Sequence, residues 1–236
     1  MMKRQLQVKS TGYYRQRVIR RSFRYSVLPG WGLLFLLLLL GWEIIKENMI
    51  DGSARNFPFN ITLLGVGITA NLTGGLAALL LARGQFARSI RPTIGYNVRP
   101  RSGEILAGGD LTVWLFNGGP GMSVVYSMEF RIQISPELGT PWISYPSLLE
   151  NLESIGLMEG QQFKLTRFGP GAPLPPVKHG EEGSELLSIT GDFLRRITVF
   201  DIRIRVIDVV GDMHERILGC ISAVDQRLIS ELSERQ

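Results

Sequence analysis

Residues 25–42 read YSVLPGWGLLFLLLLLGW and carry no formal charge. A helix of about 18–20 apolar residues is long enough to cross a hydrocarbon layer of roughly 30 Å. Trp31 and Trp42 bracket the leucines, where an interfacial aromatic belt would place them. A surface helix of a globular protein keeps a polar face, and Leu36 to Leu40 leave none. We read residues 28–46 as a first transmembrane helix.

Downstream, no formal charge stands between Arg55 and Arg83. We read residues 61–82 as a second transmembrane helix, after an external loop at 47–60. Ala70, Gly74 and Ala78 recur every four residues, and Gly67, Asn71 and Gly75 form a neighbouring stripe. Such small-residue faces let helix backbones approach closely in lipid, and an Asn can hydrogen-bond across the contact. These six residues are the candidate helix-packing set. They serve either to close a hairpin with the first helix or to pair two copies of the chain.

Charge sets the expected orientation. Residues 1–27 hold eight Lys and Arg and no acid, and Arg83, Arg88, Arg91, Arg99 and Arg101 follow the second helix with no acid before Glu104. The external loop is close to neutral. The positive-inside rule then places both termini in the cytoplasm of an inner membrane. Arg20-Arg21-Ser22-Phe23 resembles the core of a twin-arginine export signal. The leucine run is longer than an export signal needs, and no small-x-small cleavage site follows closely. Asn60-Ile61-Thr62 and Asn71-Leu72-Thr73 match a glycosylation pattern, but one abuts the membrane and the other lies within it.

The tail 1–27 interleaves bases with Tyr13, Tyr14, Phe23 and Tyr25. Nucleic-acid binding is one reading of this pattern. A juxtamembrane polybasic segment on anionic lipid is the simpler one. Arg15, Arg17, Arg20, Arg21, Arg24, Arg83 and Arg88 are the candidate lipid-surface residues. The basic pI of 9.6 belongs to these flanks, because the chain from Glu104 onward has 11 bases and 18 acids. That acidic balance argues against nucleic acid as a partner of the folded part.

Residues 83–102 read as a basic linker and 103–236 as one cytoplasmic domain. With 44% hydrophobic and 20% charged residues, wholesale disorder is excluded. A single cysteine, Cys220, rules out an intramolecular disulfide and a thiolate zinc site. The dominant period is two. Met122, Val124, Tyr126, Met128, Phe130, Ile132 and Ile134 alternate with more polar residues, which predicts one long strand with a single apolar face. Leu111 to Phe116 is a strand that is apolar on both faces. In Ile197 to Val210, Phe200, Ile202, Ile204 and Val206 face in while Asp201, Arg203 and Arg205 face out. Gly211-Asp212 fits a two-residue turn into a last strand, Met213 to Ser222. Weaker strands are expected at Thr93–Val98, Phe163–Phe168 and Leu186–Thr190. Gly169 to Pro176 is a breaker cluster expected to be neither strand nor helix, and a plain exposed loop is preferred there over a polyproline surface. Short helices are expected at Pro146–Met158 and Ala223–Arg235. The fold class is therefore two transmembrane helices followed by a mainly-β domain, an antiparallel sandwich or barrel with a short C-terminal helix.

A strand running into Asn117-x-Gly119-x-Gly121, then a long strand, and then Ile207-Asp208-Val209-Val210-Gly211 before a last strand resembles a domain of small bacterial membrane proteins. In those proteins two N-terminal transmembrane helices carry a cytoplasmic β-sandwich. Val206-Ile207 stands where that pattern has an aromatic residue. The resemblance implies no catalytic residues.

Chemistry-bearing clusters are few. Asn117 to Gly121 lacks the Lys-Ser/Thr of a phosphate loop, and no helix follows it. Asp208, Asp212, His214 and Glu215 have spacing that could hold a metal, but an exposed hairpin whose Asp and Gly serve the turn is the preferred reading. His179 reads as a solvated loop residue and Cys220 as an inert buried thiol. No catalytic residue, cofactor or metal site is assigned, and an enzyme is not expected. The leading expectation is an assembly or sensor module that binds a protein partner or further copies of itself. The alternative is a nucleotide-sensing, membrane-disrupting effector of bacterial defence.

Overall fold

The computed structural model describes residues 15–21, 23–48, 64–101, 110–134, 140–177 and 183–221. Residues 1–14, most of the expected external loop, His179 and the expected C-terminal helix lie outside the described residues.

The described chain runs through β1 (Arg17–Arg20), α1 (Phe23–Glu47), α2 (Val66–Ser89), β2 (Ile94–Arg101), β3 (Asp110–Asn117) and β4 (Ser123–Gln133). It continues with α3 (Tyr145–Ser154), β5 (Phe163–Leu165), β6 (Pro173–Leu174), β7 (Ser184–Ile189), α4 (Gly191–Arg196), β8 (Val199–Asp208) and β9 (Met213–Gly219). It forms two compact units, residues 21–89 and residues 1–20 with 90–236.

The larger unit is a sandwich of two antiparallel sheets. One has the order β1-β9-β8-β4-β6 and the other β2-β3-β7-β5. Period-two alternation puts Phe200, Ile202, Ile204 and Val206 of β8 on the inner face, all at most 1% exposed. Leu111, Val113 and Leu115 of β3 and Leu187 and Ile189 of β7 are fully buried with them in one core. Phe193 of α4 closes one end of that core, 5.7 Å from Phe163 and 5.5 Å edge-on from Phe200 between ring centroids. Burying each such side chain contributes about 1.5–3 kcal/mol before entropy is counted.

The long strand does not keep a single inner face. Its pairing with β8 slips between Val125 and Ser127. A bulge inserts an extra residue and reverses the side-chain alternation beyond it. Val125, Phe130 and Ile132 are therefore buried, whereas Val124 and Tyr126, expected inside, are 38% and 51% exposed. The β8–β9 connection is also longer than two residues. It spans 209–212, with Gly211 donating to the Asp208 carbonyl and adopting φ +80°. The breaker cluster yields the two-residue β6 on the edge of β4.

The smaller unit is a helix pair. Val27–Glu47 and Val66–Ser89 are long and apolar enough to cross a membrane. α2 starts five residues later than expected and runs on through Arg83 and Arg88. The two helices pack together, and a Cβ placed on Gly32 would meet Leu76 at 3.5 Å. Leu39 and Glu43 on α1 and Thr69 and Thr73 on α2 are the buried positions, each pair four apart and so on one stripe. Both threonine hydroxyls donate back along the helix, to the Gly65 and Thr69 carbonyls. This satisfies them without a cross-helix partner. The expected packing stripe is not the one that closes the pair. Gly67, Ala70, Asn71, Gly74, Gly75 and Ala78 are all exposed, with open space where a Cβ would stand on the three glycines.

Candidate functional site

The segment that follows α2 crosses the Asn117 turn, and the turn is shaped to hold it. A Cβ on Gly119 would run into the backbone of Arg91 to Thr93, and one on Gly121 into the carbonyl of Ile90. Only glycine lets two backbones pass this closely. The Asn117 side chain is fully buried and uses its whole amide. Its Oδ1 accepts from the backbone N–H of Thr93 (3.1 Å) and Gly119 (3.0 Å). Its Nδ2 donates to the carbonyls of Gly121 (2.7 Å) and Leu174 (3.2 Å). Gly118 N–H completes the grip on the Thr93 carbonyl at 2.8 Å. The Asn-x-Gly-x-Gly motif is thus a cradle for residues 90–93.

The segment that precedes α1 also grips this stretch. Gln16 Nε2 donates to the Pro92 carbonyl, and Gln16 Oε1 accepts from Ile94 N–H, both at 2.8 Å. One residue on, β1 pairs antiparallel with β9 and becomes the edge of its sheet. Arg17 there donates from Nε (2.9 Å) and Nη2 (2.6 Å) to Glu215 Oε1.

That ion pair starts a charge ladder across the outer face of the sheet. Arg205 Nε donates to Glu215 Oε2 at 2.9 Å, and Arg205 Nη1 to Glu129 at 3.2 Å. Arg203 also pairs with Glu129. Trp142 stacks beneath the guanidiniums of Arg203 (4.5 Å) and Arg131 (5.3 Å). Arg131 in turn holds Asp201. Burial pushes the Glu215 carboxyl up, but hydrogen bonds from Arg205 and Arg17 outweigh it and hold it below the ordinary range. For Asp201 the balance reverses. It alternates to the outer face as expected yet is fully buried, so desolvation raises it despite Arg131.

The four residues with possible metal spacing do not converge. All four are buried, but Glu215 points to the outer face of the sheet and is held by Arg17 and Arg205, whereas Asp208 and His214 lie on the inner face. Asp208 does serve the turn, because its Oδ1 accepts from Val210 and Asp212 N–H at 3.0 and 2.9 Å. The tip of the hairpin is exposed at Val209 and Gly211 as expected, but Asp208 and His214 are buried on the inner face and bond each other at 2.8 Å. Among the described residues, no group of three His, Cys, Asp or Glu is placed to hold a metal ion. Cys220 is fully buried, and desolvation, with Asp201 nearby, pushes its thiol well above the usual value.

Of the candidate lipid-surface residues, Arg15, Arg20, Arg21 and Arg88 are exposed, Arg83 is half-buried, and Arg24 lies in the first turns of α1. Arg17 is spent on Glu215. Sequence reading missed β1 and Gln16, because four residues (Arg-Val-Ile-Arg) beside an apolar helix give too short a pattern to register as a strand. The chain matches no protein-family model and no curated protein.

Proposed function

We propose that this chain is a membrane-anchored module of a bacterial inner membrane, in which a cytoplasmic β-sandwich binds a partner protein or assembles with further copies. One observation carries the reading. The residues just before α1 and just after α2 are built into the same sandwich, through β1 on β9 and residues 90–94 in the Asn117–Gln16 clamp. If the two apolar helices cross a bilayer, both flanks must then emerge on one side, and the arginine-rich flanks assign that side to the cytoplasm. Assembly is supported by the outward stripe Gly67 to Ala78. The helix pair leaves it unused, and small residues are what close approach between helices in lipid requires. The flanking arginines are expected to contact anionic headgroups.

Crosslinking of the full chain in intact membranes tests the assembly reading. A cysteine at Gly74 is expected to give a dimer or a defined higher species, and Gly74→Leu to reduce crosslinking between cysteines placed elsewhere on the stripe. Recovery of the chain as a lone monomer, with no co-purifying protein in gentle detergent, would overturn it. Reporter fusions at each terminus and within residues 49–60 test the orientation.

A further inference from the structure

The outer face of the five-stranded sheet divides into two parts. The charge ladder occupies the rows from Glu215 to Asp201. The next row is apolar, because register places Pro173, Val124, Ile207 and Met213 side by side and ends on Arg20. Opposed residues of antiparallel strands share a face, and Met213 stands two residues from Glu215, so this row looks outward with the ladder. Val124 is 38% exposed, and the bulge adds Tyr126 at 51%. Exposed apolar side chains clustered in this way mark interaction sites. The rim of the row is cationic. Arg20 is exposed and the Arg17 side chain is 68% exposed. The acids are withdrawn, since Glu129, Asp201 and Glu215 are each held by an arginine and Asp208 and Asp212 are buried.

An occupant of this row must bring apolar side chains across about 14 Å, the span from the first to the fourth strand, and acids at one end. The same chain carries such an element. α3 has 10 residues, about 15 Å of helix, and includes no Lys or Arg. Glu150 and Glu153 are exposed on it, and Met158, just beyond it, is 52% exposed. Two arginines beside it are engaged, Arg167 on the Tyr145 ring and Arg196 on the Ile155 carbonyl. α3 lies too far away to fill the row of its own sandwich. Tyr145 sits 6.1 Å from the Phe130 ring, and Phe130 lies six residues along β4 from Val124, roughly 20 Å. We infer that the row receives the Glu150–Glu153 face of α3 from a second copy, so that sandwiches associate head to tail, with Arg20 and Arg17 of one facing the acids of the next. The inference rests on the assembly reading above and names the contact that the folded domain supplies to it. Such a contact joins two different patches, so it propagates into a ring or an open row. Opposite charges at its rim fix its direction and register.

The test co-expresses two differently tagged forms of the full chain, Val124→Cys and Asn151→Cys, and treats intact membranes with a short thiol crosslinker. The wild type, whose Cys220 is buried, sets the background. A mixed dimer carrying both tags is expected in excess of the self-crosslinked product of either form. Arg20→Glu in the first form should lower the mixed product about threefold or more. Glu150→Lys with Glu153→Lys in the second form should then restore it, which a misfolded Arg20→Glu chain would not allow. A mixed product no greater than background, in membranes where Gly74→Cys still crosslinks, overturns the inference and leaves assembly through the helices standing. A mixed product that ignores Arg20→Glu, or that the reversed acids fail to restore, overturns the inference too. Absence of both the mixed and the Gly74→Cys products overturns the assembly reading, and the inference with it.

Discussion

Replacing Asn117 by alanine should be among the most damaging single changes in the sandwich. Four hydrogen bonds leave with the amide, and three of their partners, Gly119, Gly121 and Leu174, are buried. A buried backbone group left unpaired costs about 1–3 kcal/mol. Counting the glycine partners in full, and those at the more exposed Thr93 and the longer Leu174 bond at a discount, gives roughly 3–5 kcal/mol. For a domain of this size that lowers Tm by about 8–15 °C. The assay is thermal unfolding of the full chain in detergent, followed by near-UV circular dichroism, with the exposed Asn151→Ala as reference. Asn117→Asp sharpens the test. It keeps an acceptor for both N–H groups but sets a carboxylate oxygen against two carbonyls. Its carboxyl should therefore titrate above the usual range, with stability best below the unfolded value and falling as pH rises through the folded one. A Tm for Asn117→Ala within about 2 °C of wild type, the range of ordinary surface changes, would refute the clamp.

Other substitutions separate the parts. Arg17→Glu places two carboxylates together on the β1–β9 edge. Because Arg17 is largely exposed, the global loss should stay below about 1 kcal/mol, but proteolysis near residues 15–21 should rise several-fold by mass-spectrometric mapping. Glu215 sits below the ordinary carboxylate range, so the stability it lends is present at neutral pH and lost as pH falls through its folded value; a Tm–pH series should show that acid limb shrinking in Glu215→Gln. Gly121→Ala drives a methyl into the Ile90 carbonyl and should cost about 1–3 kcal/mol or more by chemical denaturation. Thr69→Leu and Thr73→Leu overfill the α1–α2 contact and should weaken disulfide trapping between the two helices, whereas Gly67→Leu, on the exposed stripe, should leave that trapping intact.

The residues that announce themselves in sequence are those whose role is local or periodic. The leucine run and the alternation in β3 and β8 depend on near neighbours along the chain, so the elements and the two-sheet class were legible. The glycines of the Asn117 turn were visible as turn formers, but their cause was not. It lies in Ile90 to Thr93, a segment some 25–30 residues earlier that only the fold brings across them. The β4 bulge shows the same limit. Met122 to Ile134 alternate without a break in sequence, and the slip at Tyr126 comes from pairing with β8. The small-residue stripe on α2 was readable as a packing face, but its direction was not, since Thr69 and Thr73 occupy the contact. Gln16 gives no sequence signal at all, because one amide in a basic tail acquires meaning only from the backbone it meets.

The β1–β9 pairing also imposes an order on biogenesis. Arg17 and Glu215 are 198 residues apart. At ordinary synthesis rates of about 5–20 residues per second, the first strand leaves the ribosome roughly 10–40 s before its partner exists. Both apolar helices are made in that interval, so on the membrane-anchored reading proposed above their insertion precedes closure of the sheet. The nascent chain must hold Arg17–Arg20 unpaired until the last strand arrives. The short, doubly charged form of that strand suits the wait, because it offers little to aggregate with.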